Sequence, residues 1–275
     1  MDNLSILEAV ETEDTKIEVL QFNELKGSSD VRTAEKLFYA NQAGLKMKMI
    51  RITIKESRVR TEPGSLYYMN GELVMKASSG GGLIKGLKRK MLSGETFFVN
   101  EIHGSGSIYL EPTFGHFILY KVEEGIDGII VDKGMFYAGT SGLDITAKMQ
   151  SRLSAVVLGK EGLFQTYIKG KGIAVLYSPV PFEEIQKFNL SGEKLYVDGN
   201  FALLRSNDVK FKVEKSSKSW VATSVSGEGL LSTFEGKGDV WIAPTEGIYE
   251  KLAVGSLADL ANAPSSRNTR TKKKK

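Results

Sequence analysis

A Gly-x-Gly step occurs three times in this chain at one fixed interval, and that repetition constrains the fold more than any other feature of the sequence. The interval is constant because 170 − 104 equals 236 − 170; the glycines are Gly104 and Gly106, Gly170 and Gly172, and Gly236 and Gly238. A fixed interval between copies of one motif is the sequence signature of a structural unit repeated along a chain. The sequence therefore predicts three copies of one structural unit.

Apolar residues recur at matched offsets around each step. They stand six and two positions before the first glycine and four and six positions after it: Phe98, Ile102, Ile108 and Leu110; Phe164, Ile168, Ala174 and Leu176; and Leu230, Phe234, Val240 and Ile242. Positions separated by even numbers lie on one face of a β-strand. We therefore predict an all-β fold whose core contains these residues.

The six glycines have a structural and a functional interpretation. A glycine pair inside a strand pattern favours a tight turn or a bulge, because glycine adopts positive φ and lets another segment approach closely. A phosphate-binding loop would need a helix N-terminus after the glycines, and here strand patterns follow them instead. We interpret all six glycines as structural turns.

The domain organisation follows from the size of the repeat. The units run over residues 46–112, 116–179 and 184–244, and about 65 residues are too few for each to bury a core alone. We predict one all-β domain at 46–245, with three sheet-forming repeats around a pseudo-threefold axis and short amphipathic helical insertions. Residues 1–45 are predicted to be an N-terminal extension outside the core, with a helix near 34–38. Residues 246–275 are predicted to be a short helix and a disordered basic tail.

Two basic segments are candidate anion-binding sites. The first, Lys85, Lys88, Arg89 and Lys90, alternates with Leu83, Leu87 and Met91 as in a short amphipathic helix; the second is the tail Lys272, Lys273, Lys274 and Lys275. Removing the six cations of residues 264–275 changes the net charge from +4 to +4 − 6 = −2, so the body of the protein is not basic. The alternatives are a helix that covers the sheet and a tail that keeps the protein in solution.

The sequence has no catalytic constellation. His103 and His116 are the only histidines, and His103 falls where the three copies share no chemistry. We find no nucleophile elbow, paired-histidine helix or acidic metal loop, and therefore predict no catalytic residue, metal or cofactor. The lack of cysteine, of an export signal and of any run of about 18 apolar residues favours a cytoplasmic protein.

An ordered series of motifs resembles the bacterial members of the family named for the yeast "altered inheritance of mitochondria" protein 24. The motifs lie between residues 45 and 245, at 64–69, 93–95, 162–164, 170–172, 192–198, 226–230 and 236–241. The resemblance implies a triplicated all-β fold like that of the tryptophan RNA-binding attenuation protein and a mitochondrial relative linked to inner-membrane organisation, with no established reaction. Relatives continue the last strand towards Gln-Thr, whereas this chain has Ile242, Ala243, Pro244 and Thr245, so contacts of that edge are not carried over.

These observations favour a noncatalytic binding or assembly module. The expected partner is an anionic membrane surface or another protein, and nucleic acid is not expected, because the body is acidic and the tail has no aromatic residues for base stacking. Two alternatives stay open at this point. One is a small-ligand or enzymatic pocket where the repeats meet, and the other is a homo-oligomer formed through exposed sheet edges.

Overall fold

The computed structural model describes residues 3–79, 98–125, 127–132, 134–149, 164–198, 202–215 and 230–254. Most of these residues are in strands, which confirms the all-β class. The strands are β1 (Leu4–Glu11), β2 (Thr15–Phe22), β3 (Lys48–Thr61), β4 (Leu66–Ser79), β5 (Phe98–Leu110), β6 (His116–Val122), β7 (Ile129–Val131), β8 (Phe136–Thr140), β9 (Leu143–Met149), β10 (Phe164–Gly170), β11 (Gly172–Ser178), β12 (Gln186–Asp198), β13 (Ala202–Ser206), β14 (Lys210–Lys215) and β15 (Leu230–Ile242). The α-helices are α1 (Val31–Gln42) and α2 (Glu246–Val254).

The chain divides into two compact units. The first comprises Met1–Lys148 and Phe164–Phe182, and the second comprises Met149–Leu163 and Glu183–Lys275. The first therefore contains most of the first two sequence repeats and the second contains the third.

A sheet of eight strands organises the first unit. Its order is β1-β2-β3-β8-β11-β6, and β5 pairs with both β3 and β4. The apolar side of β3 shows why this sheet forms, because Ile50, Ile52 and Ile54 alternate with polar residues and are 0–1% exposed. They pack with Ile102 and Ile108 of β5 in one hydrophobic cluster.

The N-terminal strands belong to this sheet, which corrects the expectation that the segment 1–45 lies outside the core. Residues 15–21 of β2 pair with residues 48–54 of β3, and Ile17 and Val19 of β2 are part of the main hydrophobic cluster. β2 joins the sheet because its apolar residues alternate with polar ones, so that its apolar side continues the apolar side of β3. The helix expected near 34–38 is present as α1, which begins after Asp30; the carboxylate of Asp30 accepts a hydrogen bond from the backbone N–H of Thr33 at 2.9 Å.

The second unit is built on β15. β12 pairs with it along most of its length, and β13 and β14 pair with parts of its other edge. Its core contains Leu190, Val197, Val209, Phe234 and Val240. The apolar positions predicted from the repeat are buried wherever the side chain is described, apart from Ile242, which is half-buried; the buried ones are Ile102, Ile108, Leu110, Ile168, Ala174, Leu176, Phe234 and Val240.

The first Gly-x-Gly step lies within β5 and faces a bulge in β3. The pairing of β3 with β5 shifts between Ile54 and Ser57, opposite Gly104 and Gly106. Gly104 has a φ of +123°, and a Cβ added there would overlap the carbonyl oxygen of Glu72 in β4. Glycine is required at this position because the backbone of β4 occupies the space of a side chain.

Candidate functional site

The basic residues that the sequence proposes as anion-binding groups lie outside the described residues. These are Lys85, Lys88, Arg89 and Lys90 between β4 and β5, and Lys272 to Lys275 at the C-terminus. The six glycines are described: Gly104 and Gly106 lie in β5, Gly170 ends β10, Gly172 begins β11, and Gly236 and Gly238 lie in β15.

The first unit has a charge cluster on the polar face of β3 and β5. Register places Arg58 opposite His103 and Arg60 opposite Glu101, so all four side chains lie on one face. The Glu101 carboxylate lies 3.0 Å from Nε of Arg60, 3.8 Å from Nη1 of Arg58 and 2.7 Å from Nε2 of His103. We call these four residues the Glu101 cluster.

Glu101 is held as a carboxylate by its neighbours. Burial works to raise the pKa of Glu101, but the charges of Arg60 and Arg58 and the hydrogen bonds from His103 and Arg60 outweigh it, so the pKa lies below its usual value. Arg60 is fixed further, because its guanidinium also donates to the carbonyl oxygen of Leu143. The cluster is therefore an ordered arrangement around one ionised carboxylate.

The neighbouring strand extends this face. In β4, Val74 lies opposite His103 and Lys76 lies opposite Glu101. Lys76 is exposed, Val74 is 59% exposed and the Arg58 side chain is 45% exposed. With His103 counted as neutral, the three cations Arg58, Arg60 and Lys76 outnumber the carboxylate of Glu101 by two within this group. Glu72 and Glu56, which lie beside Ser105, begin an acidic region farther along the same strands. We call the Glu101 cluster with Val74 and Lys76 the basic face.

The polar face of the second unit has a different charge pattern. Lys194 of β12 pairs with Glu235 of β15 at 3.3 Å, and the amide of Asn189 donates to Asp239 at 2.7 Å. The first contact is a cross-strand ion pair and the second is a cross-strand hydrogen bond to a carboxylate. Both are expected on a solvated sheet surface. At these two pairs the charges are offset or hydrogen-bonded, whereas the cations around Glu101 outnumber its carboxylate.

A second charge cluster in the first unit is centred on a buried carboxylate. Glu18 of β2 lies 2.6 Å from Nε of Arg51 and 3.0 Å from Nζ of Lys16, and its side chain is only 2% exposed. The hydrogen bond from Arg51 is the main cause that lowers the pKa of Glu18. A carboxylate this enclosed has little surface left for a ligand, so we interpret this cluster as a link between β2 and β3.

Sequence reasoning missed the Glu101 cluster. It assigned His103 to a variable surface position, whereas the structure places its imidazole beside Glu101 with a side chain 37% exposed. A signal was present, because one position separates Arg58 from Arg60 and one separates Glu101 from His103, so each pair lies on one face of its strand. What the sequence did not supply is the pairing of the two strands.

The described residues give no sign of metal binding or of a membrane-spanning helix. Within these ranges, no group of three or more His, Cys, Asp and Glu residues is arranged to hold a metal ion. The helices in the same ranges are too short and too polar to cross a bilayer.

Comparison with known proteins gives three findings. The family model described as "Mitochondrial biogenesis AIM24" matches residues 40–245. An uncharacterised protein of Streptococcus pyogenes serotype M6 is 26% identical over 193 residues, which is 67% of this chain and 75% of the relative. The crystal structure of a protein from Streptococcus pyogenes covers 76% of this chain and 94% of its own, with a TM-score of 0.54 and 21% identity, and so supports the fold alone.

Proposed function

We propose that this chain, which belongs to the family described as Mitochondrial biogenesis AIM24, is a noncatalytic binding module that engages an anionic membrane surface through its basic face. The observation that carries the proposal is the imbalance of charge around Glu101. Arg58, Arg60 and Lys76 surround one carboxylate, and Arg58 and Lys76 are open to solvent. Clustered cations on one face attract acidic lipid headgroups.

An exposed apolar side chain favours a lipid surface over a purely polar partner. Val74 is 59% exposed and lies between His103 across the strand pair and Lys76 farther along β4. Surface-bound proteins combine cations that meet headgroups with apolar side chains that enter the acyl boundary. A basic face with an apolar residue at its edge has both components.

The basic segments outside the described residues are included in the proposal. Residues 80–97 connect β4 to β5, whose terminal residues Ser79 and Phe98 are paired. Lys85, Lys88, Arg89 and Lys90 are therefore tethered to the hairpin that carries Lys76 and His103. We propose that they, and Lys272 to Lys275, add to the attraction for anionic lipid.

We also propose that the fold is a threefold repeat, and the contacts of the glycines in the second and third copies support it. A Cβ on Gly170 would overlap the backbone of Gly142, and one on Gly236 would overlap that of Asp208; the two intervals match, because 170 − 142 equals 236 − 208. Added Cβ atoms on Gly172 and Gly238 would meet Thr140 and Ser206, and again 172 − 140 equals 238 − 206. β5 and β15 also have the same length, and their first positions, 98 and 230, differ by twice the repeat interval.

Binding to vesicles tests the proposed function. The full chain is sedimented with vesicles of phosphatidylglycerol and phosphatidylcholine or of phosphatidylcholine alone, and the double variant Arg58→Gln/Lys76→Gln is compared with the wild type. We expect binding only to the anionic vesicles, weakened about tenfold or more in the variant, since each cation near such a surface contributes about 1 kcal/mol. Raised salt should weaken the binding as well.

A matched control removes the same charge elsewhere in the first unit. Lys121 and Lys171 have side chains 75% and 78% exposed, and Lys121→Gln/Lys171→Gln should bind anionic vesicles as the wild type does. An equal loss of vesicle binding in both double variants would mean that net charge alone determines the binding. That result would overturn the assignment to the basic face. Equal binding to neutral vesicles, or binding to acidic protein or RNA but not to vesicles, would overturn the membrane assignment.

A further inference from the structure

The first unit contains a cleft of about 310 Å³ where four segments meet. Glu62 follows β3, Glu111 and Pro112 follow β5, Tyr137 is in β8, and Tyr177 is in β11. The described lining is completed by one glycine and one threonine and includes no lysine or arginine. We call this feature the acid–aromatic cleft.

The backbone fixes the relative positions of the cleft's side chains. The N–H of Glu62 donates to the carbonyl oxygen of Tyr137 at 2.9 Å, and the N–H of Tyr177 donates to that of Met135 at 2.7 Å. The hydroxyl of Tyr137 donates to the carbonyl oxygen of Glu111 at 3.1 Å. These bonds join the ends of β3 and β5 to β8 and β11, so the cleft is preformed.

Aromatic packing supports the two tyrosine rings from behind. The ring centroid of Phe117, which is 8% exposed, lies 5.1 Å from that of Tyr137 and 6.3 Å from that of Tyr177. A Cβ added to Gly115 would overlap the Tyr177 ring, so the lack of a side chain there makes room for this ring. Both tyrosines are thus held at the wall of the cleft by a buried partner.

The electrostatics of the cleft are those of a site for a cation. Burial raises the pKa of Glu62. Burial also raises the pKa of Tyr137 to about 12, with contributions from the charges of Glu111, Glu62 and Tyr177. Lys48 lies close by, but its ammonium donates to the carbonyl oxygens of Lys46 and Gly115 at 3.3 and 3.4 Å. Two carboxylates therefore border the cleft, and a cation inside it would stabilise their ionised forms.

We propose that the acid–aromatic cleft binds an organic ammonium group, with Tyr137 and Tyr177 against its methyl or methylene groups and Glu62 and Glu111 balancing its charge. Aromatic faces combined with carboxylates recognise methylated and quaternary ammonium ions through cation–π attraction. The volume is near the lower end of the range for small-molecule sites. The two tyrosines offer ring faces beside the carboxylates, which favours an organic ammonium ion over a hard metal ion that is held by oxygen ligands. This inference does not depend on the proposed membrane binding.

Binding of small probes to the full chain tests this site. Choline and tetramethylammonium are titrated by calorimetry or by tyrosine ring NMR, and 3,3-dimethyl-1-butanol serves as the uncharged isostere of choline. We expect both cations to bind and the isostere to bind at least about fivefold more weakly, because it lacks the charge that meets Glu62 and Glu111. Equal binding of choline and its isostere, or no binding of either cation, overturns the proposal without any variant.

Isosteric substitutions locate the site. Glu62→Gln/Glu111→Gln should weaken binding of choline at least about fivefold. The matched variant Glu123→Gln/Glu124→Gln, at side chains 60% and 82% exposed, should leave it unchanged. Urea unfolding of each variant verifies that it is folded. Choline binding that is unchanged in the folded double variant places the probe elsewhere and overturns the assignment to this cleft.

Discussion

Glu101 and Glu62 are both partly withdrawn from water in the first unit, yet their surroundings shift their pKa values in opposite directions. Arg60 and Arg58 hold the pKa of Glu101 below its usual value against the effect of burial. Burial alone is the cause that raises the pKa of Glu62. One carboxylate is thus surrounded by cations and the other stands beside a second carboxylate and two tyrosine rings.

This difference shows that the polar face of a strand and the residues just past its end can carry opposite charges. β3 carries Arg58 and Arg60 on its polar face and leads directly into Glu62. Side chains within the strand are matched to β5 by register, whereas Glu62 lies past the end of the strand and meets residues from β8 and β11. The two proposed binding regions, the basic face and the acid–aromatic cleft, therefore differ in the sign of their charge.

The largest expected effect is on the free energy of unfolding when a glycine beside the basic face or in the cleft is replaced by alanine. Gly104 is next to His103 in the basic face, and Gly104→Ala would force a Cβ onto the carbonyl oxygen of Glu72 at a positive φ. Gly134 lines the cleft with a φ of +82° and open space around it. We expect Gly104→Ala to lower the free energy of unfolding by more than about 3 kcal/mol and Gly134→Ala by about 1 kcal/mol, measured by urea unfolding.

The same measurement addresses the threefold repeat. Gly170 has a φ of +108°, and its Cβ would overlap the carbonyl oxygen of Gly142, as that of Gly104 would overlap that of Glu72. Gly170→Ala should therefore cost as much as Gly104→Ala if the two positions are equivalent. A cost for Gly170→Ala no larger than that for Gly134→Ala would contradict the equivalence.

The sequence predicted the strands of the core but could not predict either of the two proposed binding regions. Ile102 and Phe234 were identified because the period of two is local to each strand, and both are buried. β1 and β2 were missed because they lie outside the repeat, although Ile17 and Val19 alternate as in other core strands. The acid–aromatic cleft joins residues as far apart as 62 and 177, and only long-range strand pairing brings them together.

The next effect is smaller and opposite in sign at the two glutamates. Glu101→Gln leaves Arg58 and Arg60 without their carboxylate and should lower the free energy of unfolding by about 2 kcal/mol at neutral pH. Glu62→Gln removes a charge that burial disfavours and should raise it by about 0.5 kcal/mol. Urea unfolding measures both, with Glu72→Gln in exposed β4 as the reference for loss of a solvated charge. Destabilisation by both substitutions would mean that the two sites do not differ in kind.

The smallest effect is the pH dependence of the changes in unfolding free energy caused by Glu101→Gln and Glu62→Gln. The folded-state pKa of Glu101 lies below the ordinary value of 4.5, so its stabilisation is complete above that value and is lost as the pH falls through the folded-state pKa. The folded-state pKa of Glu62 lies above 4.5, so its ionisation disfavours the fold; this cost is absent below 4.5 and grows as the pH rises through the folded-state pKa.

Unfolding curves at several pH values between about 3 and 7 test this contrast, because that range extends to both sides of the ordinary carboxyl pKa. On acidification, the deficit of Glu101→Gln relative to the wild type should shrink as Glu101 in the wild type becomes protonated. The gain of Glu62→Gln should vanish at a higher pH, because Glu62 is protonated first. The stability differences of the two variants from the wild type could instead decline together over one pH interval. The arginines would then not separate the pKa values of Glu101 and Glu62, and the electrostatic distinction between the basic face and the cleft would be wrong.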